Sequence, residues 1–120
     1  MPVPVRILIA CCSTSPRESL AEILRGWGAD VVFAANVDEA QKILNEQTMS
    51  LVFCEADIVN GTFRDLLDAI SRSRAAARLV ALVHDEGGYR KAIQAGAFEA
   101  IPIPCQRSDV QWAVIRATRR

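Results

Sequence analysis

Two acidic residues follow the most continuous apolar stretch in the middle of the chain. Residues 51–54, with the sequence LVFC, predict a strand that is buried on both faces. Glu55 and Asp57 come next, and Asn60-Gly61 then turns the chain. Since ligands of an open parallel sheet collect beyond the carboxyl ends of its strands, Glu55 is the first candidate for a functional residue.

A cysteine and an arginine with phosphatase-like spacing follow the first apolar run. Cys11 and Arg17 form a C-x5-R pattern, in which a thiolate would attack phosphate while the arginine and backbone amides hold it. A phosphate cradle needs glycines and consecutive backbone N–H groups, whereas residues 11–17 contain no glycine and Pro16 has no N–H. The phosphatase hypothesis therefore depends on the spacing alone.

The thiols could also bind a metal or sense redox state. Four residues with suitable chemistry are expected near the same edge of the sheet: Cys11, Cys12, Glu55 and His84. Adjacent cysteines cannot easily face one ion, because alternation at a strand end points one of them into the core. Cys54 and Cys105 are expected to pack as small apolar side chains. The prediction is therefore no metal and no cofactor, with a thiol or metal sensor as an alternative.

Length and composition describe one domain spanning residues 1–120. A chain with 51% hydrophobic and 23% charged residues can form one core and is too small for two. Fourteen basic residues balance fourteen acidic ones, so no strong field favours nucleic acid or anionic lipid. No apolar run approaches the ~20 residues of a membrane span. The start, MPVPVR, lacks the apolar core of a signal peptide, so we expect a cytoplasmic protein with reduced thiols.

Short apolar runs alternate with amphipathic segments along the whole chain. Strands are predicted at 5–10, 31–35, 51–54, 79–83 and 99–103, the last bracketed by prolines as an edge strand. The first helix is predicted to have Ser15 as its N-cap and Pro16 at its first position, and Glu18 completes a capping box. Its buried stripe is predicted to be Leu20, Ile23, Leu24 and Trp27.

The remaining helices have similar signals. Asn36 with Glu39, and later Thr62, are predicted to cap the second and third helices. A loop at 85–88 and a short helix that stops at Gly96 are expected next. The last helix is expected to bury Val110, Ala113, Val114 and Ala117, with Trp112 and Ile115 on another flank. The alternation predicts an α/β fold with a doubly wound parallel sheet of five strands and five helices.

The order of these motifs resembles the response-regulator receiver domain over nearly the whole chain. The resemblance rests on the segments RILIACC, SPRESLAEILRGWG, SLVFCEADIVNG, RLVALVH and AGAFEAIPIP. It implies a flavodoxin-like sheet with strand order 2-1-3-4-5, the order that such domains share. It also implies that the first and last helices lie on one face and the other three on the opposite face.

The resemblance implies a phosphorylation site whose residues differ here. Receivers accept a phosphoryl group from a histidine kinase on an aspartate at the end of the third strand, where this chain has Glu55. The paired acids that hold magnesium in the family correspond to Cys11 and Cys12. Magnesium requires hard oxygen ligands, which two thiols cannot supply.

Three further positions of that site have apolar residues. The hydroxyl residue, the switch aromatic and the lysine of the family correspond to Val83, Ala100 and Ile103. Phosphoryl transfer depends on positioning and on charge stabilisation, and Ile103 provides no cation. The resemblance therefore implies that Glu55 is not phosphorylated.

Glu55 allows three other interpretations. Its charge could imitate a phosphorylated aspartate, although Val83 and Ile103 occupy the positions that would respond to it. It could be a carboxylate that is solvated at the strand end or paired with Arg17. Asp57 could be a displaced phosphoacceptor, but it would also lack the metal and the lysine.

The predicted function is therefore that of a degenerate receiver, or pseudo-receiver, of a two-component or phosphorelay system. It would act as a phosphorylation-independent interaction module and not as an enzyme. In the family, the fourth helix, fifth strand and fifth helix form the face for dimer and effector contacts, and aromatic residues and arginine are enriched at interfaces. The candidates on that face are Tyr89, Arg90, Trp112, Ile115 and Arg116. We expect a protein partner or a homodimer there, with no direct contact to nucleic acid or membrane; a simple scaffold is the alternative.

Overall fold

Five parallel strands form one sheet between two layers of helices. The computed structural model describes residues 5–11, 14–55, 57–58, 61–72, 77–103 and 105–118, without the side chains of 14–16, 57–58 and 118. In chain order the elements are β1 (Arg6–Ala10), α1 (Thr14–Gly26), β2 (Asp30–Ala34), α2 (Val37–Glu46), β3 (Leu51–Glu55), β4 (Asp57–Ile58), β5 (Gly61–Thr62), α3 (Phe63–Arg72), β6 (Arg78–Val83), α4 (Glu86–Ala95), β7 (Glu99–Pro102) and α5 (Arg107–Thr118).

The strand order confirms the predicted topology. The sheet runs β2-β1-β3-β6-β7, which is the predicted order 2-1-3-4-5 when the two-residue strands β4 and β5 are set aside. Every adjacent pair in the sheet is parallel, and β7 lies at an edge as its prolines predicted. The predicted doubly wound α/β fold is therefore correct.

Two hydrophobic clusters fill the spaces on either side of the sheet. Ile9, Phe53 and Val80 lie side by side in the register of the central strands and pack in one cluster with the buried residues of α1 and α5. Their neighbours Leu8 and Val52 point to the other face, where α2, α3 and α4 complete the second cluster. Since helices cover both faces, every residue of β3 is buried, as the continuous apolar run predicted.

Two predictions about α1 are wrong. The helix begins at Thr14, so Ser15 lies inside its first turn and is not its N-cap. Pro16 is tolerated there because N–H groups in the first turn have no intrahelical acceptor. Trp27 was expected in the buried stripe but lies after the helix end at Gly26, in a turn that Gly28 closes with φ 81°, and is 45% exposed.

The start of α4 also differs from prediction, whereas the α2 cap is confirmed. Asn36 Oδ1 accepts a hydrogen bond from the Glu39 N–H at 2.8 Å, as the cap predicted. The expected loop at 85–88 is helical from residue 86 onward, because Asp85 is an N-cap whose Oδ1 accepts from the Gly88 N–H at 2.7 Å. The helix ends at Gly96 in the left-handed conformation, φ 110°, as predicted.

A short antiparallel pair, β4 with β5, follows β3 and was not predicted. It leads into α3, where the Thr62 hydroxyl accepts from the Arg64 N–H and the Asp65 carboxylate accepts from the Thr62 N–H at 2.9 Å. This reciprocal arrangement confirms the predicted cap. A Cβ at Gly61 would collide with the Asp65 carboxylate and lie 2.9 Å from a Val37 methyl, so the junction requires glycine. Among the helices of the described ranges, none is long and apolar enough to cross a bilayer.

Candidate functional site at the carboxyl ends of the strands

The sheet register brings Glu55, Cys11 and Val83 to the same edge. Ala10 pairs with Cys54 in parallel strands. The residues that follow them, Cys11 and Glu55, therefore lie side by side. Glu55 in turn pairs with Leu82, directly before Val83. The expectation that Cys11 and Glu55 lie at one edge of the sheet is confirmed, and Val83, which the resemblance assigned to the same site, lies beside them.

Glu55 is buried, with 7% of its surface exposed. The hypothesis of a solvated carboxylate is wrong, because β3 is the central strand and both of its faces are covered. A buried carboxylate is costly without polar partners, and no buried side-chain nitrogen or oxygen in the described part of the chain lacks one. Arg17 places its guanidinium 5.5 Å from the centroid of the Phe33 ring. Its pairing with Glu55 stays a prediction.

The described thiols belong mainly to the core. Cys11 and Cys54 have no exposed surface, which confirms that a strand-end cysteine points inward. Burial, and then the charge of Glu55, raises the pKa of the Cys54 thiol far above its usual range, and its Sγ donates a hydrogen bond to the Glu55 carbonyl. Cys105 is half-buried, and burial raises the pKa of its thiol to about 11. The expectation that Cys54 packs in the core is confirmed.

Burial of the Cys11 side chain disfavours its reaction as a thiolate. A nucleophile must reach its substrate, whereas the Cys11 side chain is enclosed by the cluster under α1. Across the residues with described positions, no three His, Cys, Asp or Glu side chains group closely enough to hold a metal ion. His84 is exposed after β6, and Cys12 and Asn60 lie outside the described residues, as does the Asp57 side chain.

The three positions that the resemblance assigns to a hydroxyl residue, an aromatic residue and a lysine hold apolar side chains packed in the two clusters. Val83 and Ala100 are buried in the cluster beneath α2, α3 and α4. Ile103 is half-buried against the opposite cluster, and its N–H donates to the Val83 carbonyl at 2.9 Å. This end of the sheet offers an incoming anion no cationic side chain from these three positions.

The predicted interaction face is exposed and partly organised by internal contacts. Tyr89 and Trp112 are 42% and 57% exposed. Arg116 forms an ion pair with Glu99 at 2.8 Å and lies 5.9 Å from the centroid of the Trp112 ring. Arg90 pairs with Glu86 at 3.4 Å within α4. Ile115 is half-buried, and Trp112 lines a depression of about 170 Å³ between β7 and α5.

Sequence reasoning missed a cleft of about 460 Å³ between the first turns of α3 and α4. Arg64, His84 and Lys91 line it, and Val83 contributes to its floor. The sequence signal for it is a pair of cations, Arg64 in the first turn of α3 and Lys91 in the second turn of α4. That signal was lost because 85–88 was predicted to be a loop.

Comparison with solved structures identifies the fold. No family model and no curated protein matches the chain. The signal receiver domain of an HD domain-containing protein from Pseudomonas fluorescens Pf-5 superposes with a TM-score of 0.86, at 19% identity, over 98% of this chain and 88% of that one. The receiver domain of the sensor histidine kinase PA1611 from Pseudomonas aeruginosa, with magnesium in its active-site cleft, gives 0.85 at 18% identity over 95% and 97%.

A third structure contains a receiver bound to a signalling partner. It is the complex of the Saccharomyces cerevisiae histidine phosphotransfer protein Ypd1 with the receiver domain of the response regulator Ssk1. The match has a TM-score of 0.80 and 19% identity, covering 97% of this chain and 93% of that one. The chain therefore has the fold of response-regulator receiver domains, and the predicted resemblance is confirmed at the level of the fold.

Proposed function

We propose that this chain is an atypical receiver of a two-component or phosphorelay signalling system that binds a protein partner without being phosphorylated. The observation that supports this most strongly is the closed end of the sheet. Cys11 has no exposed surface and Glu55 only 7%, at the positions where the family has a magnesium ligand and the phosphoacceptor. An interaction module needs the receiver fold but not these two functions.

Magnesium does not fit the residues at this site. The P. aeruginosa neighbour holds the ion in its active-site cleft. Here the corresponding positions are Cys11 and Cys12, and the described one of the two is a buried thiol. Magnesium prefers oxygen ligands, which a thiol does not supply. The ion also keeps several bound waters, for which a fully enclosed side chain leaves no room.

The face formed by α4, β7 and α5 is the proposed partner site. Trp112 and Tyr89 present aromatic surface, and Arg116 is fixed beside Trp112 by its ion pair with Glu99. Large aromatic side chains and arginine are the residue types that dominate binding energy at interfaces. The yeast neighbour shows that a receiver domain can bind another signalling protein. We propose a protein partner here, and a second copy of this chain is the first to test.

Incubation with acetyl phosphate and magnesium tests the phosphorylation part of the proposal. Intact mass should show no added phosphoryl group on the wild-type chain. The Glu55→Asp variant should also stay unmodified. Cys11 and Cys12 provide no oxygen ligands for magnesium, and Ile103 provides no positive charge for the phosphoryl group. A gain of one phosphoryl mass that Glu55→Ala abolishes would refute this part.

Sedimentation velocity over a range of concentrations tests the partner face. We expect self-association that Trp112→Ala weakens at least about tenfold. Trp27→Ala is the matched control, because Trp27 is 45% exposed but lies in the turn between α1 and β2. Equal effects of the two substitutions would contradict the assignment of the face. A monomer at every concentration would exclude the homodimer and leave a different protein as the partner.

A further inference from the structure

A groove runs between α3 and α4 next to the carboxyl end of β6. Its upper part is the cleft of about 460 Å³, whose apolar floor includes Phe63 and Val83. A second hollow of about 400 Å³ continues between the same helices and shares Arg64 and Lys91 with the first. A volume of this size is in the range of small-molecule sites, which lie between about 300 and 1,000 Å³.

Three side chains that can be cationic line the upper cleft without a partner. Within the described ranges, the side chains of Arg64, His84 and Lys91 take part in no ion pair or hydrogen bond. Arginines elsewhere, such as Arg6 and Arg116, are paired with carboxylates. Like charges that face one cleft repel each other, and an anion between them would relieve that repulsion.

The acidic residues nearby offset the charge of these cations only in part. Asp85 lines the upper cleft as the N-cap of α4, with its Oδ1 accepting from the Gly88 N–H, so its one negative charge offsets only one of the charges of Arg64 and Lys91. Asp68 lies only in the second hollow, one turn further along α3. Gly87 and Gly88 contribute no side chain to the wall, so the approach to the cations is open on that side.

We propose that this cleft binds a small phosphate monoester that carries a planar ring, such as a nucleoside monophosphate. Arg64 can donate two parallel hydrogen bonds to a phosphate, and Lys91 adds a compact positive charge. A doubly charged phosphate matches the cation set better than a single carboxylate does. The planar group would lie against the floor near Phe63 and Val83. The site contains neither Glu55 nor the exposed aromatic residues of the partner face. Its test is therefore independent of the tests of the proposed function.

Two-dimensional ¹H–¹⁵N spectra of the full chain, titrated with AMP, adenosine and inorganic phosphate, test the site. AMP should cause saturable shifts centred on the Gly87 and Gly88 amides, phosphate should shift the same amides more weakly, and adenosine should bind at least about tenfold more weakly than AMP. Arg64→Ala and Lys91→Ala should each weaken AMP binding about tenfold. Arg107→Ala and Lys42→Ala, which remove exposed cations of other helices, should change it less than about twofold.

Several results would overturn the site. These are no saturable shift with AMP, equal binding of adenosine and AMP, or equal effects of the cleft and control substitutions. A salt series on the wild-type chain gives an independent measurement that needs no variant to fold. Raising NaCl from about 0.05 to 0.5 M should weaken AMP binding several-fold, because the cations are exposed and therefore screened. Binding that does not depend on salt would also overturn the proposal.

Discussion

The closed end of the sheet and the face formed by α4, β7 and α5 differ most in solvent exposure. At the closed end, Cys11 is fully buried and Glu55 nearly so. On the face, Trp112 is more than half exposed, and its neighbour Arg116 pairs with Glu99 at the surface. Both regions lie on one rigid sheet, through β3 and β7 respectively.

This difference is what the proposed phosphorylation-independent receiver would require: a buried carboxyl end of the sheet and an exposed face elsewhere on the same fold. At the closed end Cys11 and Val83 belong to the two hydrophobic clusters, so their burial stabilises the fold. The face keeps side chains suited to protein contacts, because nothing in the fold requires their burial.

The largest contrast is expected in stability. Phe53→Ala, in the fully buried β3 beneath the closed end, should lower the free energy of unfolding by about 3–5 kcal/mol, because it leaves a cavity between α1, α5 and the sheet. Trp112→Ala should change it by less than about 0.5 kcal/mol. Urea denaturation followed by circular dichroism measures both. Similar losses for the two variants would mean that Trp112 is part of the core, which is the scaffold alternative.

The topology and the position of Glu55 at the end of a buried central strand could be predicted because they depend on patterns that burial enforces, whereas the burial of Glu55 itself was not predicted. A strand covered on both faces must be apolar throughout, and residues 51–54 are. The buried stripe predicted on α5 likewise follows from the cluster that it fills. The meeting of Cys11, Glu55 and Val83 then follows from parallel register alone.

The failures involve local competition between structures. The i+7 spacing placed Trp27 on the buried stripe of α1, but the turn that Gly28 closes ends the helix first. Gly87-Gly88 predicted a loop, and the Asp85 cap outweighs their low helix propensity. The groove between α3 and α4 depends on the distance between two helices, which sequence periodicity does not determine.

A second contrast concerns pH, because the two thiols with raised pKa values lie in different surroundings. In the unfolded chain both cysteines ionise near the ordinary pKa of 9.0, whereas burial raises the pKa of Cys105 to about 11 and that of Cys54 further. Above pH 9 the folded chain therefore holds more protons than the unfolded one, so the free energy of unfolding falls as pH rises. Well below the ordinary pKa of 9.0 the thiols are protonated in both states and cause no pH dependence.

Urea denaturation between pH 8 and 10.5 measures this slope. The wild-type slope above pH 9 should exceed that of Cys54→Ala by about 1 kcal/mol per pH unit. Cys105→Ala should remove a smaller part, since its thiol is partly exposed and its pKa is less raised. Because the alanine variants also lose packing, the slopes and not the absolute stabilities are compared. Identical slopes for wild type and Cys54→Ala would show that Cys54 is accessible to solvent in the folded chain.

The smallest effect is expected from the ion pair on the exposed face. Arg116 Nη1 lies 2.8 Å from Glu99 Oε2, and the two side chains are 57% and 20% exposed. Exposed pairs of this kind contribute about 0.2–1 kcal/mol, because water screens the attraction and two long side chains lose freedom. A double-mutant cycle with Arg116→Ala and Glu99→Ala should therefore give a coupling energy of about 0.5 kcal/mol.

That coupling should decrease at about 1 M NaCl, where the Debye length is only ~3 Å. Arg116→Lys serves as the control, because it keeps the charge and loses the planar group that lies over the Trp112 ring. If the pair only positions Arg116 beside Trp112 for a partner, Arg116→Lys should weaken self-association while stability changes little. A coupling above about 2 kcal/mol that salt does not reduce would instead mean that Arg116 and Glu99 are a desolvated structural pair. The face would then be closed like the carboxyl end of the sheet, and the proposed difference between the two regions would be wrong.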